Sequence, residues 1–248
     1  MLLIKKDSYI IIAGLDLSKT HYSLVVRFLK NFEDEKTFYT IGTTSKGIIK
    51  KAKKDNIICH EIPSWSWFKK NKTNSQDAYN MLLIETISEF INKDISYIYK
   101  MSKPSIRKYI AIEGYAMHAT GQLLQIAEIA GVIKNIFYPD NWKIRIHDPL
   151  SVKLWATGKG NADKFEMVQK AKDDGINIPE YLFKKKEDPG ADVADAYFLM
   201  KMLETELKIR SNPLEMNNAT DEQKRVFNRV TKANPVNILD TQFIEKTE

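Results

Sequence analysis

Four acidic residues occupy positions where a carboxylate is costly unless a cation satisfies it. Asp16 and Glu113 each end an apolar run that is typical of a buried strand. Asp192 and Asp195 lie three residues apart at the start of a predicted helix, so both face the same way. Buried carboxylates need partners, and a ligand set made only of oxygen atoms suits Mg²⁺ or Mn²⁺. The four acids therefore predict a two-metal site able to cut phosphodiester bonds.

Each acid also has a structural interpretation that needs no metal. Asp16 could be a turn residue at the end of a strand, and Glu113 could be a buried acid paired with a lysine. Asp192 stands where aspartate is a favoured helix N-cap. Asp195 is harder to explain as a cap because it lies one turn further along the helix. The combination of four acids, more than any one of them, favours the metal site.

Composition limits the classes of protein to which the chain can belong. Its 248 residues carry a formal net charge of +6, which favours an anionic partner without identifying one. Cys59 is the only cysteine, so an intramolecular disulfide is excluded and a cysteine-based zinc site is implausible. The four histidines show no metal-ligand spacing. The absence of a long apolar run and of a signal-peptide pattern leads us to expect a cytoplasmic protein.

The acids must be positioned by a sheet and by the helices that pack on it. Two strands are predicted within residues 8–28, joined by a turn at residues 18–20, and further strands near residues 37–41, 109–113, 136–138 and 143–146. Helices are predicted over residues 75–92, 120–133, 151–156, 162–172 and from residue 192 onward, with a short one near 221–231. This alternation predicts a mixed α/β domain with helices flanking a sheet.

A basic segment that contains two glycines lies between the strand predicted near residues 143–146 and the last core helix. Lys153, Lys159 and Lys164 could contact phosphates, and Gly158 and Gly160 would let backbone N–H groups approach a phosphate. The segment is not a Walker loop, because the four-residue spacer is missing. Any one of these lysines is equally well explained as a solvated surface charge. Lys164 is favoured as an active-site lysine because it lies early in a predicted helix just after the glycine loop.

Taken in order, these segments resemble the RuvC-like Holliday junction resolvases of the ribonuclease H superfamily. Gly14-Leu15-Asp16 is similar to the family's first-strand aspartate motif, and Ala111-Ile112-Glu113 to its central-strand glutamate motif. The stretch over residues 148–164 resembles the family's basic, glycine-containing segment. Asp192-Val193-Ala194-Asp195-Ala196 resembles its closing pair of aspartates. The resemblance extends over roughly residues 8–203.

This resemblance implies a fold, a chemistry and a set of site residues. The implied fold is ribonuclease H-like α/β, with a central mixed five-stranded sheet flanked by helices. The implied activity is that of a homodimer that nicks four-way DNA junctions symmetrically, using two Mg²⁺ ions per active site, for which Mn²⁺ can substitute. The expected metal ligands and catalytic residues are Asp16, Glu113, Asp192 and Asp195, with Lys164 assisting catalysis. The expected DNA-binding residues are Lys153, Gly158, Lys159, Gly160, Lys164 and Tyr115.

The chain also departs from the compact members of that family. An insertion around residues 60–75 contains Trp65 and Trp67, whose alternation suits either base stacking or a half-buried strand. The expected organisation is a nuclease domain over residues 1–206 and a polar C-terminal extension over residues 207–248. The length of the chain and its many lysines and asparagines are more typical of phage and viral members, which would act in the host cytoplasm.

Two other functions stay open at the level of sequence. The same four carboxylates would serve a related superfamily nuclease that acts on other branched DNA or on RNA–DNA hybrids. A catalytically inert junction-binding protein is the second alternative. Its sequence signature would be the loss of one acid, whereas this chain retains all four.

Overall fold

The computed structural model describes residues 9–18, 21–30, 33–72, 74–101, 106–114, 123–184 and 188–232. The strands are β1 (Tyr9–Leu17), β2 (Tyr22–Lys30), β3 (Glu33–Thr43), β4 (Ile58–Glu61), β5 (Arg107–Glu113) and β6 (Trp142–His147). The α-helices are α1 (Lys46–Lys54), α2 (Trp65–Asn71), α3 (Gln76–Met101), α4 (Leu123–Phe137), α5 (Pro149–Thr157), α6 (Lys164–Asp173), α7 (Gly190–Ser211) and α8 (Asp221–Lys232). Short 3-10 helices cover Glu180–Leu182 and Pro213–Asn218.

One mixed sheet forms the centre of the molecule, with the strand order β4-β3-β2-β1-β5-β6. Strands β1, β2 and β3 pair antiparallel, whereas β5 is parallel to β1, β6 to β5 and β4 to β3. This arrangement confirms the predicted α/β class with helices flanking a central mixed sheet. The described sheet has six strands and not the predicted five, because β4 extends the β3 edge through the crossover helix α1.

Two of the local predictions were wrong for identifiable physical reasons. The strand predicted over residues 136–138 belongs to the end of α4 and the turn after it, because Ile133 and Phe137 are buried at helical spacing. The strand interpretation of Trp65 and Trp67 also fails. Both lie on α2, where the ring of Trp65 packs against Phe68 at 5.9 Å and that of Trp67 remains 45% exposed.

Both faces of the sheet are covered, which explains the continuous apolar runs of β1 and β5. Helices α3 and α4 pack on one face, and α5, α6 and α7 pack on the other. Among the described residues, no helix combines the length and the apolar character that crossing a membrane requires. Helix α8 packs against α5, where the Arg229 guanidinium lies 3.5 Å from the Asp148 carboxylate.

Buried acids that belong to the framework are neutralised or hydrogen bonded by neighbouring elements. On α7, Glu204 pairs with Arg27 of β2 at 2.7 Å, and Glu206 pairs with Arg145 of β6 and with Arg210. On the opposite face, Asp94 of α3 accepts hydrogen bonds from Tyr22 and Thr40 at 3.0 and 2.7 Å, and lies 2.9 Å from a ring nitrogen of His60. These contacts lock α7 and α3 onto the sheet.

Helix α7 lies unusually close to β1 at Gly14. A Cβ atom at this position would stand 1.9 Å from the Ala196 carbonyl oxygen and 2.6 Å from the Met200 nitrogen, both of them backbone atoms of α7. Backbone atoms cannot turn away as a flexible side chain can. Glycine at position 14 is therefore what allows the helix to approach the strand two residues before Asp16.

We expect Gly14→Ala to destabilise the chain by about 3 kcal/mol, because α7 must move off β1 to accommodate the methyl group. The measurement is the free energy of unfolding in urea. Gly131→Ala is the matched control, since Gly131 lies within α4 with open space around it and the change should stabilise by about 0.5–1 kcal/mol. Equal effects of the two substitutions would contradict this view of the β1–α7 contact.

Candidate functional site

Two of the predicted acids are brought together by the pairing of β1 with β5. The parallel ladder pairs Gly14 with Ala111 and Leu15 with Ile112, so Asp16 and Glu113 occupy the next position on the two strands. Neighbouring residues of a parallel ladder point to the same face of the sheet. Both carboxylates thus stand at the carboxyl edge of the sheet, on the face that α7 covers.

The first turns of α7 bring the other two acids to the same place. Asp192 and Asp195 lie near the start of this helix, which is held against β1 at Gly14. A second close approach fixes the beginning of α7, because a Cβ at Gly190 would stand 2.6 Å from the Leu182 carbonyl oxygen. The charges of Glu113, Asp192 and Asp195 raise the pKa of Asp16, which indicates that the four carboxylates lie close to one another.

Burial and mutual repulsion keep protons on these acids. Asp16 and Asp192 are buried, whereas Glu113 and Asp195 remain partly exposed. Burial, followed by the charges of the other acids, raises the pKa of Asp16 well above its usual value, and burial also raises the pKa of Glu113. A side-chain hydrogen bond between the two acids adds to the rise in the pKa of Asp16 and opposes the rise in the pKa of Glu113. Burial is also the main reason that the pKa is raised to about 6 at Asp192 and to about 8 at Asp195.

Two lysines supply positive charge to this space. The Lys164 Nζ at the start of α6 lies 3.8 Å from the Asp192 carboxylate. Lys164 and Lys153 of α5 both lower the pKa values of Glu113 and Asp195. Neither lysine forms the close ion pair that the arginines make with the framework acids on α7, so burial outweighs their effect and the pKa values stay raised.

The donor set fits a hard divalent cation. All four acids offer carboxylate oxygens, the ligand type that Mg²⁺ and Mn²⁺ prefer. As their side chains stand, no group of three or more His, Cys, Asp or Glu in the described ranges converges closely enough to hold an ion. A cation held there would displace protons from the acids, because carboxylate ligands must be deprotonated. Asp16, Glu113, Asp192 and Asp195 are the residues that would hold it.

The remaining predicted residues lie at different distances from the acids. Lys159 is exposed and its Nζ pairs with Glu166 at 2.8 Å. Gly158 caps α5 with a φ of 79°, and its N–H donates to the Leu154 carbonyl oxygen at 2.9 Å. Gly160 has open space on its Cβ side, with the nearest atom at 3.8 Å. Tyr115 falls outside the described residues.

The sequence analysis missed a histidine beside the acids. His147 ends β6 and pairs in register with Glu113, so the three strand ends carry Asp16, Glu113 and His147 in one row. Its ring is buried, neither ring nitrogen has a hydrogen-bond partner within the described part of the chain, and burial lowers its pKa to about 3. The sequence signal was weak, because Lys143 and Arg145 interrupt β6, so His147 does not close a continuous apolar run as Asp16 and Glu113 do.

The known proteins that resemble this chain do so only remotely. No family model and no curated protein matches the sequence. The chain is similar to a Thermus thermophilus RuvC structure at 13% identity and a TM-score of 0.42, covering 77% of this chain and 96% of that chain. It is also similar to T. thermophilus RuvC in complex with a Holliday junction substrate, at 14% identity and a TM-score of 0.43, covering 76% and 91%. At identities of 13% and 14%, neither structure identifies the chemistry of this site.

The raised carboxyl pKa values predict that the metal-free chain loses stability as the pH rises. Asp195 binds its proton more tightly in the folded chain than in the unfolded chain. Its contribution to the free energy of unfolding is therefore full below about pH 4 and is lost as the pH passes 8. Above pH 7, His147 and His21, whose pKa values are lowered by burial, are neutral in both states. We expect the melting temperature in EDTA to fall by about 3–6 °C between pH 7 and pH 9 because of Asp195.

Asp195→Asn removes that contribution, together with the repulsion by which the Asp195 charge raises the pKa of Asp16. The variant should lose less melting temperature than the unmodified chain over the same pH interval. Mn²⁺ or Mg²⁺ should also flatten the pH dependence of the unmodified chain, because a bound cation replaces the protons. Parallel pH profiles for the variant and the unmodified chain would contradict the raised pKa of Asp195.

Proposed function

We propose that this chain is a metal-dependent endonuclease that resolves four-way DNA junctions by hydrolysing phosphodiester bonds. The observation that carries the proposal is the group of four carboxylates, Asp16, Glu113, Asp192 and Asp195, whose pKa values are raised at the carboxyl edge of the sheet. The framework acids Glu204 and Glu206 form close ion pairs with arginine, whereas Asp192 of the site has Lys164 only at 3.8 Å, so the site acids are a local specialisation. Perturbed acids in an accessible position are typical of functional sites.

The residues of the chain have distinct roles in this mechanism. Asp16, lying between Glu113 and the start of α7, would hold ions jointly with the other acids. Two bound divalent ions would activate a water molecule and stabilise the leaving oxygen. Glu113 and Asp195 are partly exposed, so a phosphate can approach them from solvent. Lys164 stands 3.8 Å from Asp192 and would offset the charge of an incoming phosphate.

The charge of the chain supports a nucleic-acid substrate. The formal net charge is +6, although the site itself is acidic. Lys153 and Lys164 flank the acids, and Lys159 is exposed on the loop that joins α5 and α6. Phosphate binding by such lysines releases counterions and makes affinity fall with salt. A two-fold dimer would present two such sites to the two strands of a symmetric junction, which supports paired nicks.

The test of the proposal is cleavage of a labelled four-way junction, a matched duplex, a flap and an RNA–DNA hybrid, each with Mg²⁺ and with EDTA. We expect symmetric paired nicks on the junction, with no cleavage in EDTA. Asp16→Asn should abolish cleavage while binding is kept. Glu85→Gln, at an exposed acid on α3, is the matched control and should cleave like the unmodified chain.

Other results would redirect the proposal in defined ways. Cleavage of the hybrid or the flap in preference to the junction would keep the metal chemistry and change the substrate. Tight junction binding with no cleavage in Mg²⁺ or Mn²⁺ would identify an inert junction-binding protein. No binding and no cleavage of any of the four substrates would refute the proposal.

Lys164 and Lys159 should differ sharply when each is replaced by alanine. Lys164→Ala should lower the cleavage rate about 10²-fold, because a cation next to the reacting phosphate is lost. Lys159→Ala should change it little, because Lys159 is exposed and paired with Glu166. The measurement is single-turnover cleavage of the junction, and Lys164→Arg should recover part of the rate. Equal loss in both alanine variants would show that the lysines act only through overall charge.

A further inference from the structure

A cavity of about 550 Å³ is lined in part by Lys164, the residue that also stands 3.8 Å from Asp192. Its lining includes Lys153, Lys164, Phe165, Phe183, Lys184 and Ala191. Ala191 directly precedes Asp192, so the first turn of α7 separates the cavity from the acidic site. The volume falls within the range of about 300–1,000 Å³ that is usual for ligand sites.

Phe165 lines this cavity and is exposed to solvent. Its side chain is 64% exposed, although it follows directly after Lys164 in the first turn of α6. The backbone there is fixed by a reciprocal cap, in which Asp163 accepts from the Glu166 N–H at 2.8 Å and Glu166 accepts from the Asp163 N–H at 3.0 Å. A single exposed apolar side chain is ordinary, but this one lies on a capped first turn next to Lys164 of the candidate phosphate-cleaving site.

The other aromatic ring in the lining has a different role. Phe183 is partly buried, and the Lys172 Nζ stands over its ring at 4.9 Å from the centroid. Phe165, by contrast, makes no stacking or cation–π contact with any residue that the structure describes. One aromatic face is therefore available inside a lining that also carries three lysines.

The charges of the lining favour an anionic occupant. Lys153, Lys164 and Lys184 contribute three positive charges, against Asp163 and Asp188. The Asp163 carboxylate already accepts the Glu166 N–H as the cap of α6. An aromatic surface for stacking beside cations for phosphate is the combination that binds nucleotides of single-stranded nucleic acid.

The geometry points to this cavity as the binding site for an unstacked nucleotide of the DNA strand, next to the phosphodiester that is cut, with its base stacked on Phe165. Lys164 connects the two sites, since it lines the cavity and stands beside Asp192. Unstacking costs least for a base that is mismatched or already unpaired, so the cavity would favour DNA whose pairing is disturbed at a branch point over continuous duplex. This inference rests on the proposed nuclease function and adds the means by which the site selects its substrate.

The test is junction binding by the full chain carrying Asp16→Asn, so that DNA stays intact, with Phe165→Ala or Phe165→Trp added. Phe165→Ala should weaken binding about 5- to 150-fold, the range that corresponds to one stacked base. Phe165→Trp should stay within a few-fold, because the larger ring still stacks. Trp67→Ala is the matched control, an exposed aromatic residue on α2, and should bind like the parent.

An abasic site on the DNA tells stacking from a general loss of folding or charge. When the nucleotide that occupies the cavity lacks its base, Phe165→Ala should have little further effect, because both changes remove the same contact. Unchanged melting temperatures would show that the exposed position tolerates the substitution.

The outcomes separate this inference from the function on which it rests. Junction cleavage by the unmodified chain together with parent-like binding by Phe165→Ala would overturn the stacking site and leave the nuclease proposal standing. Loss of binding in Trp67→Ala with no loss in Phe165→Ala would place base stacking on α2 and also overturn it. Failure of the chain to bind or cut any branched DNA would refute both.

Discussion

Repulsion among carboxylates held at the carboxyl edge of the sheet is the constraint on which this structure depends. The protein neutralises buried acids elsewhere, as the pairing of Glu204 with Arg27 at 2.7 Å shows. At the carboxyl edge of the sheet, four acids lie together and the nearby lysines are farther away than Arg27 is from Glu204. The Lys164 Nζ lies 3.8 Å from the Asp192 carboxylate. An uncompensated cluster of this kind costs stability unless protons or cations occupy it. Such a cost is tolerated where the cluster has a function.

Two features of the fold bring the four acids together. Parallel pairing of β1 with β5 places Asp16 beside Glu113. Glycine at position 14 lets α7 approach β1 closely, which brings Asp192 and Asp195 to the same edge. The N-terminal end of a helix carries a partial positive charge, which favours the anionic form of Asp192 in the first turn of α7. Below the site, the arginine pairs of α7 fix the helix on both sides of β1. The site is thus held by backbone pairing and buried ion pairs and not by flexible loops.

Much of the framework was predictable from sequence because burial leaves a strong pattern. Strands β1 and β5 are covered on both faces, so each is a continuous apolar run that ends in an acid. Strand β4 was missed because four residues at a sheet edge give too short a pattern. The tryptophans of α2 alternate in sequence and mimic a strand, and only the contact between Trp65 and Phe68 reveals helical spacing.

The site was predictable in its acids and less so in its surroundings. Carboxylates at strand ends stand out in a sequence because they interrupt apolar runs. His147 instead ends a strand that Lys143 and Arg145 interrupt, and a histidine there is chemically ambiguous until its register with Glu113 is known. The cavity beside Lys164 and the exposure of Phe165 depend on how α6 and α7 pack, which no local pattern encodes.

The most direct test of the central claim is calorimetric titration of the metal-free chain with Mn²⁺ at pH 7.5, in two buffers of different ionisation enthalpy. The carboxylate cluster predicts saturable binding of two ions per chain, accompanied by release of protons, since the pKa of Asp195 is raised to about 8. Asp16→Asn should lose at least one of these ions, and Glu85→Gln should keep both. Absence of saturable binding, or binding that is unaffected by Asp16→Asn, would contradict the account.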